Sequence, residues 1–553
     1  MADTTMGSAG AARPSLFLRN ATGLVKAWST FDAFVYSFWS INLITLGLYG
    51  MSYVYTVPDG QILAGILLFG VLVTFLVITY AMLVSVMPRT GGDYAWQSRI
   101  LGGPLGFVLS ITGWWFTLFL WAPIYANILI VQFFEPLAYT LGWSSVATFF
   151  GTHNGTFVAC LIVLAFVSIV VTLGMETYAR IQKICFWIGL VGLAVVCGLL
   201  LFASPSDFQN AFNREATSLF GAPANAYQAT IDAASKTFAF TDFSHIAFGP
   251  ILLLLPWLAF YMLWPNWGAT LYGEVRGAKD VRKPFWSMFW GLWVTVALVV
   301  AVVLLIVKTI GWNFYQAANA AYWNSIFVAG SPAPPVPIWP YPVMFAGWLV
   351  DNSIFQALLI IVMGLWFFGW AGTLFLSSTR VIFAAAFDRV LPSWAANISA
   401  KRRVPYGSLV LMIVPSIVIS AIYAYRPTFA SIFIDATAVL ALTFFATVVA
   451  AIILPWRRKD LYDASPIAQW KVAGIPAITI VGVITGLFLL FMLWEWSFNA
   501  ADLYGTTFSA TINSVYYFIA SYLVAVVIYV AARIIRKNQG IDLARIHHEI
   551  PVE

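Results

Sequence analysis

Leu258-Ala259-Phe260-Tyr261-Met262-Leu263-Trp264-Pro265-Asn266-Trp267-Gly268 lies within an apolar run long enough to cross a membrane, and interrupts it. Pro265 removes a backbone donor and its ring clashes with the preceding turn, so the helix that reaches Leu263 cannot continue unchanged. Backbone left unpaired in hydrocarbon costs several kcal/mol, so a break there needs a compensating role. A matching interruption occurs near the start of the chain, where Ser40-Ile41-Asn42 falls mid-run with Thr45 and Gly47 close behind. A proline-kinked packing helix and a buried Ser/Asn pair would give the same letters. The positions of the two interruptions favour another reading. They fall in the first and the sixth apolar span, which correspond if spans one to five and six to ten are repeats. Five is odd, so the second repeat starts from the opposite side of the membrane. That pattern predicts an inverted repeat with a solute site between two broken helices, whose half-helix N-termini turn positive dipole ends toward the solute.

The rest of the chain agrees with a membrane setting. Hydrophobic residues make up 61% of its 553 residues and charged ones 9%, against roughly 25% charged in a soluble globular protein. Runs of about 20 apolar residues, enough to cross roughly 30 Å of hydrocarbon, occur near 31–54, 61–86, 105–133, 155–174, 181–202, 247–272, 284–309, 353–386, 407–425, 430–455, 474–497 and 511–534. With a cytoplasmic N-terminus and strict alternation, four of the 28 Lys and Arg residues fall outside: Arg214, Lys236, Lys308 and Arg426. One missed or invented span would scramble that segregation. The expected chain is all-α and integral to the lipid bilayer, of about twelve transmembrane helices with both ends inside the cell. Its divisions are a tail at 1–30, a first repeat at 31–202, an outer loop at 203–246, a second repeat at 247–455, two further helices within 456–534, and a tail at 535–553. The outer loops 203–246 and 310–350, the latter with Ser331-Pro332-Ala333-Pro334-Pro335-Val336-Pro337, read as connectors or gating elements.

Several function classes drop out. The net charge of +6 is spread over short loops, which gives no nucleic-acid surface. Cys160, Cys185 and Cys197 lie in apolar runs and read as small hydrophobes. The four histidines form no HExxH pattern and there is no Walker loop, so neither an enzyme, a metal site nor a cofactor is expected.

Four segments then carry a resemblance. Met87-Pro88-Arg89-Thr90-Gly91-Gly92-Asp93-Tyr94-Ala95-Trp96 resembles the Pro-x-[Ser/Thr]-Gly-Gly-x-Tyr loop of the amino acid–polyamine–organocation (APC) superfamily. Gly273-Glu274-Val275-Arg276 resembles that family's Gly-Glu-Val-Lys loop. Ser378-Thr379-Arg380-Val381 through Asp388-Arg389-Val390-Leu391-Pro392, and Arg403-Val404-Pro405-Tyr406, are similar to its later loops. The resemblance implies a LeuT-type fold, a 5+5 inverted repeat with two additional C-terminal helices, in the plasma membrane. It implies an amino acid permease or exchanger working by alternating access, whose substrate site uses Ser40, Ile41, Asn42 and Leu43 of span one and Phe260, Trp264, Pro265 and Asn266 of span six.

The chain departs from the family at points that matter. Ile41 and Leu43 stand where glycines usually bare amides to a carboxylate, and Asn42 offers a side-chain donor instead. The lysine of proton-coupled relatives aligns near Gly189. The span-eight hydroxyls of sodium-coupled relatives align with Gly369-Trp370, with Thr373 one turn away. Coupling to a proton or a sodium ion is thus open, and Thr373 and Asp435 are the candidates for it. Asp32, Asp351 and Glu495 lie near span edges and read as caps or snorkelling groups. With no acid near either break, a cationic substrate would lack a countercharge. A neutral, fairly apolar amino acid is the expected substrate. A polyamine or organocation carrier and a sensor that keeps the transporter body without flux are the alternatives.

Overall fold

The computed structural model describes residues 23–235, 238–239, 242–426, 432–498 and 512–550. Among the described residues, twelve helical segments are long and apolar enough to cross a membrane: Thr30–Met51, Ile62–Val86, Gly103–Thr140, His153–Thr172, Met175–Phe202, Phe248–Glu274, Arg282–Ile310, Ser353–Phe387, Tyr406–Tyr425, Ala436–Arg457, Ala477–Phe498 and Val515–Asn538. They are called spans 1 to 12. Each falls on one of the apolar runs read above.

Burial separates the spans into a centre and a periphery. The most apolar stretch of span 1 is 89% buried and that of span 12 is 22% buried, so span 1 is a core element and span 12 lies at the periphery of the bundle. Where lipid is as apolar as leucine, helices associate through close packing and polar ties. Span 7 packs on span 1 through Gly291, where a Cβ would lie 2.7 Å from Ser37 Oγ. Span 8 packs on span 1 through Gly369, where a Cβ would meet the Trp39 ring at 2.6 Å. Among the described residues span 8 is the longest unbroken α-helix at 35 residues, while spans 4 and 9 have 20 each.

The connections are more ordered than the sequence suggests. The segment after span 5 holds helices Pro205–Phe220 and Ala226–Ser235, and the one after span 7 holds Trp312–Phe327 and Pro342–Trp348. Tyr227 and Phe314 stack at 4.1 Å and join the two segments. A capping box in which Ser204 and Asp207 satisfy each other's backbone amides starts the first of these helices, with Pro205 in its first turn. Between spans 2 and 3 a short helix, Gly92–Ile100, folds back under the bundle. After span 12, Leu543–His548 brings a buried His547 to 3.2 Å from the Tyr94 hydroxyl.

Candidate functional site

Span 1 is interrupted at Asn42. A regular helix runs from Thr30 to Ile41, Asn42 takes φ 41° and ψ 91°, and a π-helical segment follows over Leu43–Gly47. Asparagine enters positive φ more easily than other chiral residues because its side chain can bond locally. Here its Oδ1 accepts from the Thr45 amide at 3.0 Å while Nδ2 donates to the Trp366 carbonyl of span 8 at 2.9 Å. The side chain is therefore held at both ends by protein. Ser40 turns its hydroxyl back onto the Tyr36 carbonyl at 2.8 Å. Ile41 and Leu43 are wholly buried. The donors that remain at this break include the first-turn amides of the new segment at Leu43 and Ile44, which a helix cannot pair within itself, and the buried Thr45 hydroxyl.

Span 6 is interrupted four residues after Phe260. Its first helix ends at Met262, Trp264 leaves the helical region at φ −105° and ψ 11°, and Pro265 opens a 3-10 segment that runs to Glu274. Proline suits that place because a first-turn amide is unpaired anyway. The Ser37 hydroxyl of span 1 donates to the Pro265 carbonyl at 2.7 Å, which ties the two interrupted spans together. Trp264 Nε1 donates back to the Phe260 carbonyl at 2.7 Å. Asn266 is fully buried, and neither its amide nitrogen nor its amide oxygen has a hydrogen-bond partner. Leaving such a group unpaired costs about 1–3 kcal/mol.

An aromatic wall surrounds this break. Trp121 of span 3 stacks on Phe260 at 5.6 Å and meets Trp264 edge-on at 5.8 Å. Trp264 and Trp267 lie 5.3 Å apart, and Trp114 reaches Trp267 at 6.1 Å. Phe444 of span 10 closes the ring against Trp264 and Trp114. The indole N–H groups of Trp121 and Trp267 are buried without partners, as is the Tyr261 hydroxyl. Span 3 departs from regular helix here, π-helical over Thr112–Thr117 and 3-10 over Leu118–Trp121. Such irregularities often accompany functional sites.

Of the residues expected from sequence, Phe260, Trp264, Pro265 and Asn266 come together in this wall, and Asn42 and Leu43 mark the facing break. Thr373 spends its hydroxyl on the Trp370 carbonyl at 2.8 Å, while its own carbonyl accepts from the Tyr36 hydroxyl. The side chain of Asp435 lies outside the described residues. The sequence reading passed over Trp267 and Phe444, which no polar or proline signal marks. It also passed over Asp93. This carboxylate is fully buried in the Gly92–Ile100 helix. It accepts from Tyr80 at 2.5 Å, Thr447 at 2.5 Å and Trp114 Nε1 at 3.1 Å. Burial pushes its carboxyl up to about 6, against the pull of those three hydrogen bonds. An acid thus does stand behind the aromatic wall, contrary to the expectation that none lies near the breaks.

Side chains beyond the two breaks are tied together at either end of the bundle. On one side Tyr53 stacks between Trp257 at 5.3 Å and Trp323 at 4.6 Å, the last carried by the Trp312–Phe327 helix. On the other, Arg99 pairs with Asp388 through two nitrogens, at 2.5 and 2.8 Å. Indoles and unpaired buried polar groups gathered at two helix breaks suit a small solute with a polar head and an apolar body.

The sequence profile of the family described as amino acid permease matches residues 28–528. The branched-chain amino acid permease BcaP of Lactococcus lactis subsp. cremoris (strain MG1363) is 24% identical over 433 residues, covering 76% of this chain and 79% of that protein.

Proposed function

The chain belongs to the amino acid permease family, a family of multi-pass membrane transporters of all-α, LeuT-type architecture, and on that premise we propose that it carries a neutral, apolar amino acid across the plasma membrane by alternating access. The observation that carries this reading is Asn266, a buried amide with no protein partner set in a wall of indoles between two interrupted spans. A zwitterionic head would satisfy that amide and the first-turn N–H groups at Leu43 and Ile44, whose segment dipole favours a carboxylate. An aliphatic side chain would fill the space against Phe260, Trp121 and Trp264. The relative named for branched-chain amino acids agrees with an apolar side chain. In this reading both termini are cytoplasmic, spans 1–5 (31–202) and 6–10 (247–455) form the two inverted repeats, and the site uses Ser40, Ile41, Asn42 and Leu43 together with Phe260, Trp264, Pro265 and Asn266. Counterflow of labelled amino acids into proteoliposomes tests it. Saturable exchange of leucine, isoleucine or valine is expected. Binding of these amino acids without flux would instead identify a sensor.

A further inference from the structure

Asp93 is held in an unusual setting for a carboxylate. Its three donors come from three different spans: Tyr80 from span 2, Trp114 from span 3 and Thr447 from span 10. No cation pairs with it among the described residues. The ionisable groups around it are engaged elsewhere. On its own helix, Arg99 is paired with Asp388 and Tyr94 donates to the same carboxylate. On spans 6 and 8, Glu274 is paired with Arg380. On the last helix, His547 faces Tyr94 and Asp388. Span 3 presents Trp114 and span 10 presents Thr443 and Thr447, none of which ionises near neutral pH. Tyr80 is therefore the ionisable group in direct contact with Asp93.

The bonding pattern makes one of the three donors free to reverse. An indole N–H cannot accept, so Trp114 can only donate. Gln97 Nε2 donates to Thr447 Oγ1 at 2.8 Å, which directs the Thr447 hydrogen toward Asp93. Tyr80 has no such constraint, and its hydroxyl lies beside the Asn266 amide, whose atoms are unpaired. We propose that Asp93 is the proton-binding group of this transporter, and that Tyr80 relays its protonation state to Asn266 at the break of span 6. With Asp93 ionised, Tyr80 donates to it. When a proton binds Oδ1, the acid becomes a donor, Tyr80 accepts from it, and the phenolic hydrogen turns to the Asn266 carbonyl oxygen. One proton is gained, no heavy-atom bond breaks, and the amide at the substrate position acquires a partner. Burial holds the carboxyl near 6, within the range where a modest pH gradient changes its occupancy.

This inference rests on the transporter reading, and the test separates the two. In proteoliposomes free of amino acid, infrared difference spectra between acid and neutral pH should show a protonated carboxyl band that titrates near pH 6 and is absent in Asp93→Asn. In Tyr80→Phe the same band should remain. Leucine uptake by the wild type should rise by up to about tenfold under an inward gradient of about one pH unit, the limit for one proton per solute. That response should vanish in both Asp93→Asn and Tyr80→Phe. A wild type that exchanges leucine with no response to pH, or an Asp93 band that does not titrate between about pH 4 and pH 8, would overturn the proton assignment and leave the transporter standing. Absence of exchange with every amino acid tried would overturn both.

Discussion

Arg380 meets Glu274 with two nitrogens of its guanidinium fork, Nε at 2.8 Å from Oε1 and Nη2 at 3.2 Å from Oε2, and both side chains are almost wholly buried. The pair fastens span 8 to the end of span 6, at the last residue of its 3-10 segment. The fork geometry gives the contact direction as well as attraction. Glu274→Gln should cost about 3–5 kcal/mol, because it strands a guanidinium in a place without water. Thermal unfolding of the detergent-purified variant checks this, and an unchanged midpoint would contradict it.

Asn266→Leu should move stability and binding in opposite directions. Its amide makes no hydrogen bond in the protein, so an apolar side chain of similar size relieves an unpaired group and should leave the unfolding midpoint equal or higher. Substrate affinity should fall about tenfold or more, as a bond worth about 1.4 kcal/mol is lost. Isothermal titration with the transported amino acid provides the second number.

Asn42 behaves as the converse case. Both ends of its side chain are spent on Thr45 and Trp366, and its φ of 41° favours asparagine or glycine. Asn42→Ala should lose about 1–2 kcal/mol from the missing cap and more from backbone strain. Asn42→Gly should keep the turn while losing the bonds, and so should melt between alanine and wild type. Equal midpoints for alanine and glycine would show that the cap, not the backbone angle, dominates.

Asp93 links folding to protons. Its carboxyl stands at about 6 in the folded chain against 3.8 for an ordinary aspartate, so the folded state binds the proton more tightly. The stability this provides is fully present below the ordinary value and is lost as pH rises through about 6. The loss is on the order of 3 kcal/mol. Between about pH 5 and pH 7 the wild-type unfolding midpoint should fall more than that of Asp93→Asn. Parallel curves would mean that Asp93 does not titrate there.

Much of this architecture is legible in the letters. Apolar runs of membrane length are crude, strong signals, and all twelve reappear as helices. The breaks at Asn42 and Trp264 announce themselves because polar residues and proline are costly in hydrocarbon. What escaped depends on three-dimensional return. Asp93 reads as part of a loop, since nothing in its neighbours shows that the following helix folds back. Gly91 donates to the Thr270 carbonyl at 2.9 Å, and Gly92 lies so close to Ala269 that a Cβ would sit 2.9 Å from its carbonyl oxygen. Those two glycines, at φ of 91° and 36°, let the helix tuck under span 6. The Ser204-Pro205-Ser206-Asp207 start of the helix after span 5 carries a capping-box pattern, within a segment that reads as a connector or gating element.

Span 8 has 35 residues and spans 4 and 9 have 20 each. At 1.5 Å per residue the first is about 52 Å long and the other two about 30 Å. The long helix has length to spare in any lipid and tilts or protrudes to fit. The short pair, which pack against each other, match the hydrocarbon with nothing left over. Reconstitution in long-chain phospholipids would therefore strain spans 4 and 9 first, and acyl length becomes a handle on this protein that acts far from its solute.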